Sequence, residues 1–330
     1  MRRDSGCRRR TVSALCISLL AAVACIAPLA APAYPVKPVR FVVPFPPGGI
    51  NDVISRSLGQ KLAEGWGQQV LVDNRGGAGS IIGTDIVAKS APDGHTLLLI
   101  STAHAINVSL HSKLPYDSVK DFAPVTMLAS SPFVLVVHPS LPVRSVADLV
   151  AIARAKPGQL QYSSSGSGTV IHLMGEMLKA GAKIDVVHVP YKGVAPALTD
   201  LIAGQVQFSF GSHLTVGTHV KSGRVRALAV TTPTRSRVAP ELPTIAEAGV
   251  PGYQATAWYG VLVAAGTPRD IVNKLNADIT RVLNLPDIRD RLFGQGVEIV
   301  GSSPEQLAEH LRSETARWST AVRQSGAKPD

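Results

Sequence analysis

The chain has 330 residues, enough for two ordinary lobes or for one large α/β domain. Apolar residues make up 45% and charged residues 17%, a balance that excludes intrinsic disorder as the state of the whole chain. The formal charge of +10 is not gathered into a basic run beyond the N-terminus, so nucleic-acid binding has no support.

The first 33 residues read as a separate segment. Arg2, Arg3, Arg8, Arg9 and Arg10 make a basic head, and Val12 to Ala24 is an apolar run interrupted by Ser13 and Ser18. Ala31-Pro32-Ala33 supplies a small-x-small cleavage pattern, which makes residues 1–33 a secretory signal peptide and Tyr34 the start of a periplasmic protein. The apolar part is too short to span a bilayer. Five arginines and Asp4 leave with it, so +4 of the +10 is lost and +6 remains. Cys7, Cys16 and Cys25 leave too, which removes any thiol nucleophile or thiolate metal ligand. Lipid modification at Cys25 is disfavoured by the missing leucine in Ala22-Val23-Ala24, and twin-arginine export by Thr11-Val12-Ser13.

From Pro38 onward, short β-branched runs alternate with amphipathic segments, the pattern of an α/β fold with largely parallel sheets. Strands are predicted at Val39–Val43, Val70–Asp73 and Thr96–Ile100, then at Phe133–His138, Leu160–Ser163, Val186–Val189 and Phe208–Phe210. Val225–Val230, Gly260–Ala264 and Val297–Val300 complete the set. Helices fall between them. Asp52–Glu64 places Ile54, Leu58 and Leu62 on one face. Ser145 and Asp148 form a capping box for a helix that stops at Pro157-Gly158, and Thr267-Pro268-x-Asp270 and Ser303-Pro304-x-Gln306 open two more in the same way.

About ten strands suit two smaller sheets better than one. A boundary is expected near Ser130-Ser131-Pro132, with the chain returning near 252–257. Residues 34–134 and 255–330 then build lobe I, residues 135–254 build lobe II, and a ligand cleft lies between them.

Several loops are suited to an anion. Phe45-Pro46-Pro47-Gly48-Gly49-Ile50-Asn51-Asp52 joins the first strand to a helix. Its glycines admit backbone N–H groups to a ligand, and the helix start adds unpaired donors and partial positive charge. Ser163-Ser164-Ser165-Gly166-Ser167-Gly168-Thr169 repeats the arrangement before a second helix, with neither a nucleophile elbow nor a P-loop in it. His172 there reads as a packing or capping residue. Val189-Pro190-Tyr191-Lys192-Gly193 makes a third strand–loop–helix start. Gly77-x-Gly79-x-x-x-Gly83 imitates a dinucleotide fingerprint, but the next strand ends in Ser101-Thr102 and not in an acidic residue. The nine histidines include no His-x-x-x-His or His-x-His pair, so neither a metal site nor a cofactor is expected.

In this order the segments resemble the Bug family, the substrate-binding proteins of tripartite tricarboxylate transporters. The resemblance runs from Pro35 to about Ser325 and rests on Pro44-Phe45-Pro46-Pro47-Gly48-Gly49-x-x-Asp52, Asn74-Arg75-Gly76-Gly77-Ala78-Gly79 and Ala88-Lys89-Ser90-Ala91-Pro92-Asp93-Gly94. His104-Ala105-Ile106-Asn107, Leu114-Pro115-Tyr116-Asp117, Lys120-Asp121-Phe122-Ala123-Pro124, Val189-Pro190-Tyr191-Lys192-Gly193, Trp258-Tyr259-Gly260-Val261 and Gly266-Thr267-Pro268 continue it. It implies a two-lobed periplasmic-binding-protein fold of the Venus-flytrap, type II-like kind, closing over a mono-, di- or aromatic carboxylate. The implied ligand-binding residues are Phe45, Gly48, Gly49, Asn51 and Asp52 in the first loop and Ser164, Ser165, Gly166, Gly168 and Thr169 in the second. Thr102, Gly193, Gly211 and His213 join them at other strand ends. Many relatives carry an Asp-Asn pair where this chain has Gly211-Ser212 and then His213, which argues against ligands with a cationic group.

The expected role is therefore that of a monomeric, non-enzymatic solute receptor serving a membrane transporter with large and small subunits. Two other roles stay open: the ligand-sensing partner of a two-component system, and a periplasmic hydrolase or isomerase using Ser165, His172 or His213.

Overall fold

A computed structural model describes residues 34–328; the signal peptide expected at 1–33 lies outside the described residues. Residues 37–328 form one compact unit, described by itself below. It begins with β1 (Val39–Val43), α1 (Ile50–Trp66), β2 (Val70–Asn74), a 3-10 turn at Ala78–Ser80, α2 (Ile81–Ala88), β3 (Thr96–Ser101) and α3 (Thr102–Leu110). Then come β4 (Phe122–Val137), α4 (Val146–Ala155), β5 (Gln161–Ser164), α5 (Val170–Ala182), β6 (Val187–Pro190), α6 (Val194–Ile202), β7 (Phe208–Ser212), α7 (His213–Lys221) and β8 (Arg226–Val230). The chain closes with β9 (Thr256–Ala264), α8 (Arg269–Leu283), α9 (Pro286–Gly294), β10 (Glu298–Ile299) and α10 (Pro304–Ser325).

The helices start and stop where local chemistry requires. In α1, Ile54, Leu58 and Leu62 are buried on one face, and Gly67 ends the helix in the left-handed region at φ 63°. Ser145 with Asp148 and Ser303 with Gln306 form reciprocal capping boxes for α4 and α10. Thr267 departs from the expected pattern. Its hydroxyl donates backward to the Ala264 carbonyl at 2.7 Å, and α8 opens at Pro268 with no side-chain cap.

The strands run in the order β2-β1-β3-β9-β4-β7-β5-β6, with β10 and β8 also paired to β4. The flanks are parallel, as the alternating pattern predicts: β1 pairs with β2 and β3, and β5 with β6 and β7. The centre is antiparallel, because β9 and β4 run back between the flanks instead of closing βαβ units. The fold is thus the two-lobed α/β architecture expected from the sequence, with β4 common to both groups of strands. From Phe122 to Pro132 β4 pairs with β9, and from Phe133 to Val137 it pairs with β7.

β4 is far longer than the strand predicted at Phe133–His138. Pro124, Thr126, Ser130, Ser131 and Pro132 break the apolar run that marks a strand. The ladder accommodates them with register shifts at Pro124/Thr126 and Met127/Ala129. α10 packs against α3, β4 and α5. It is fixed there by Glu314, 2% exposed, which accepts the indole N–H of Trp258 at 2.8 Å and of Trp318 at 2.9 Å.

Candidate functional site

A cavity of about 610 Å³ opens where the ends of β1, β3 and β5 meet the starts of α1, α3 and α5. Phe45 and Asn51 line it from the first loop, Ser101 and Thr102 from the end of β3, and Ser167 to Val170 from the Ser/Gly loop.

The first loop is held from below. Asp52 turns back and accepts from the Gly48 N–H at 3.0 Å and from Arg56 Nε at 3.0 Å. Burial pushes its carboxyl pKa up, but the bonds from Arg56, Gly48 and Asn74 outweigh this and hold it below the usual value. Asn74 donates to the Phe45 carbonyl at 3.2 Å. Gly49 precedes α1 without any side-chain cap, so the first amides of that helix are left for other acceptors. Asn51 Oδ1 is buried at the cavity without a partner.

Thr102 is already committed. Its hydroxyl donates to the Thr256 carbonyl at 3.3 Å and accepts from the Trp258 N–H at 3.2 Å, tying α3 to β9. Thr169 caps α5, donating to the Gly166 carbonyl at 2.8 Å. Gly168, at φ 73°, sits so close to Leu110 of α3 that an added Cβ would lie 2.9 Å from its methyls. The two sides of the cleft therefore touch here.

A third wall reads in the sequence as an imitation of a nucleotide fingerprint and as part of a family motif, with no ligand contact expected from it. Gly77, Ala78, Gly79 and Ser80 all have positive φ and line the cavity. Asn107 holds this turn by donating to the Gly79 carbonyl at 2.7 Å. Gly83 lets it lie against Pro44, where a Cβ would come within 2.7 Å. Tyr259, also missed, lines the cavity, and burial raises its pKa, so its phenol is a neutral donor. Asn74–Gly79, His104–Asn107 and Trp258–Tyr259 were visible as family motifs, and only the fold shows that they share one space.

Of the predicted site residues, Phe45, Asn51, Thr102, Gly168 and Thr169 line the cavity. Gly48, Gly49 and Asp52 do not line it, though Asp52 shapes the loop through Gly48, and neither do Ser165 and Gly166. Ser164 is fully buried, and its hydroxyl donates to the Gly166 carbonyl at 3.0 Å. Its 2.6 Å contact with His188 Nε2 resembles that of a nucleophile and its base, yet a buried and committed hydroxyl has no access to a substrate. Gly193, at φ 117°, starts α6 away from the cavity. Gly211 sits against Val216, where a Cβ would meet a methyl at 2.2 Å, so packing accounts for this glycine. His213 starts α7 with its ring against Gly217 and Gly296, and it does not line the cavity.

Ile106, Leu110, Phe133 and Val170 make most of the remaining wall apolar. Among the described residues, His111 is the one lining side chain of acidic or basic type. Among the same residues no His, Cys, Asp and Glu group could hold a metal, and no helix is long and apolar enough to cross a membrane. The arrangement offers helix-start amides, small hydroxyls and a phenol to an anion, and apolar surface to the rest of a ligand.

The chain matches the model of the tripartite tricarboxylate transporter family receptor over residues 54–327. It is 40% identical to Protein BugT of Bordetella pertussis over 306 residues, covering 92% of this chain and 93% of that protein. The structure of Rpa4515 from R. palustris with adipate is similar at TM-score 0.78 and 38% identity, covering 90% of this chain and all of the other. MatC from Rhodopseudomonas palustris with bound malate follows at TM-score 0.73 and 34% identity, covering 88% and all.

Proposed function

The chain belongs to the family of tripartite tricarboxylate transporter receptors, the Bug proteins, and we propose that it captures a carboxylate with an apolar body for that family's large and small membrane subunits. Members of the family are periplasmic receptors for small carboxylates. Export of this chain by cleavage after Ala33 is part of the proposal. So is the division into residues 34–134 with 255–330 and residues 135–254. In support of that division, β4 changes partners after Pro132 and β9 starts at Thr256.

The observation that carries the reading is the cavity wall. Three helix starts converge on it, yet beyond His111 its described lining holds no charged side chain, and much of it is apolar. A citrate-like ligand would leave charges facing Ile106, Leu110 and Phe133 without counter-ions, which is costly. A carboxylate at the helix starts with an apolar body along the wall, as in benzoate or between the two ends of adipate, matches both kinds of surface. Contacts are proposed for Phe45, Asn51, Gly168 and Thr169 from the sequence reading and for Tyr259 from the structure.

The test is thermal shift of residues 34–330 against benzoate, adipate, malate and citrate, followed by calorimetry. A ligand at about a hundredfold its Kd adds about 2.7 kcal/mol, a shift of a few degrees. Benzoate or adipate should stabilise more than malate or citrate and be recovered unchanged. A preference for citrate would remove the apolar-body reading, and turnover of any bound acid would favour an enzyme.

A further inference from the structure

The Ser/Gly loop that closes one side of the cavity has two positions in the positive-φ region that favours glycine, Gly166 at φ 137° and Gly168 at φ 73°. Two histidines stand behind it. The Gly168 N–H donates to His172 Nδ1 at 3.0 Å. His188 Nε2 lies 2.6 Å from Ser164 Oγ, which also accepts the Gly166 N–H at 3.2 Å. The two rings stack, with centroids 3.9 Å apart and planes 11° from parallel, and His172 is buried. Both ends of the loop are therefore tied to one imidazole stack.

The bond from Gly168 fixes a protonation state. A ring nitrogen that accepts an N–H carries no proton, so neutral His172 holds its proton on Nε2, which faces Glu176 Oε1 at 4.0 Å. A proton added at Nδ1 would set two N–H groups against each other. We infer that the His172–His188 stack positions the Ser/Gly loop for ligand, and that capture therefore requires His172 to remain uncharged. The positioning half needs no ligand; the affinity half rests on the carboxylate reading above.

The groups facing the pair act in both directions. Glu176 favours a charged His172, but it is already engaged by the Tyr162 hydroxyl at 2.8 Å and by Lys179 Nζ at 2.9 Å. Burial and Lys179 oppose charge on His188. Burial, then His172, then Lys179 bring His188 down to about 4. Tyr162 stacks on His188 from the β5 side.

The experiment uses residues 34–330 with adipate as the probe. Amide hydrogen exchange is read first, without ligand. His172→Phe keeps a ring to stack and loses the acceptor, so amides 166–169 should exchange at least about tenfold faster while the rest of α5 keeps its protection. His172→Asn places an amide oxygen near the site of Nδ1 and should restore protection. If His172→Phe does not fold, His188→Leu is read at the same amides. Adipate affinity is then measured from about pH 7.5 to about pH 4, a range that also reaches a buried histidine. The wild type should lose about tenfold or more affinity beyond the loss shown by His172→Asn, which reports the protonation of adipate itself. Undisturbed loop protection in the folded variant, or a wild-type affinity loss no larger than that of His172→Asn, overturns the inference. If adipate binds none of the proteins, the carboxylate reading loses support while the exchange result still decides the positioning.

Discussion

Thr169 is engaged within its own loop before any ligand arrives. The sequence suggests its hydroxyl as a direct donor to a carboxylate, but in the structure that proton goes to the Gly166 carbonyl, and the oxygen accepts weakly from the His172 N–H at 3.5 Å. Thr169→Ala should therefore act through the loop and the cap. It should cost about 0.5–2 kcal/mol of folding stability with a parallel loss of affinity, whereas Thr169→Ser should behave as wild type. Denaturant melts and calorimetry on the same samples separate the two effects. A large affinity loss at unchanged stability would return Thr169 to direct contact. Gly168 adds a second constraint on this loop, since its positive φ and the methyls of Leu110 both exclude a side chain. Glycine was legible there as permission for close approach. That the approaching group is Leu110 was not, because Leu110 comes from a helix 58 residues away in sequence.

At the scale of elements, α10 is the piece whose position carries most consequence. It is the last helix in the chain, yet it packs on α3, whose first turn lines the cavity, and it reaches β9 through Glu314. One carboxylate oxygen, Oε2, serves both Trp258 and Trp318, while the other meets Arg317. Glu314→Leu leaves two buried indole N–H groups and Arg317 without an acceptor, and should cost about 2–5 kcal/mol. Glu314→Gln can keep an oxygen between the indoles and should cost clearly less. Urea melts of the two variants measure the difference, and equal loss in both would mean that charge, not acceptance, is what α10 needs. The capping boxes of α4 and α10 were readable as four-residue patterns. The long β4 was not, because its prolines and serines suit a strand only when β9 and β10 are present to pair with it.

For the whole molecule, the proposal begins with export. Intact-mass measurement on protein recovered from the periplasm should give a chain starting at Tyr34 with no cysteine. A lipid-modified chain retaining Cys25 would contradict this reading. The mature chain's charge of +6, counted with neutral histidines, is spread over its length, and none of it lies in the described cavity wall. Attraction of an anionic ligand therefore falls to helix starts and neutral donors, which favours a ligand with few charges.

By itself the sequence determined the α/β class, the helix starts, the family and the two glycine-bearing loops, because each is written in residues close together along the chain. Short-range rules of capping, periodicity and backbone freedom are enough to read such features. Only the tertiary structure decided which loops share a cavity. Gly77 to Ser80, Asn107 with His111, and Tyr259 come from three separate stretches and meet because β3 lies beside β9 and α3 folds back over the turn before α2. The same holds for Gly211 and His213, whose neighbours are Val216 for the one and Gly217 with Gly296 for the other. A residue's neighbours across the fold are set by strand order and register, and no local pattern records them.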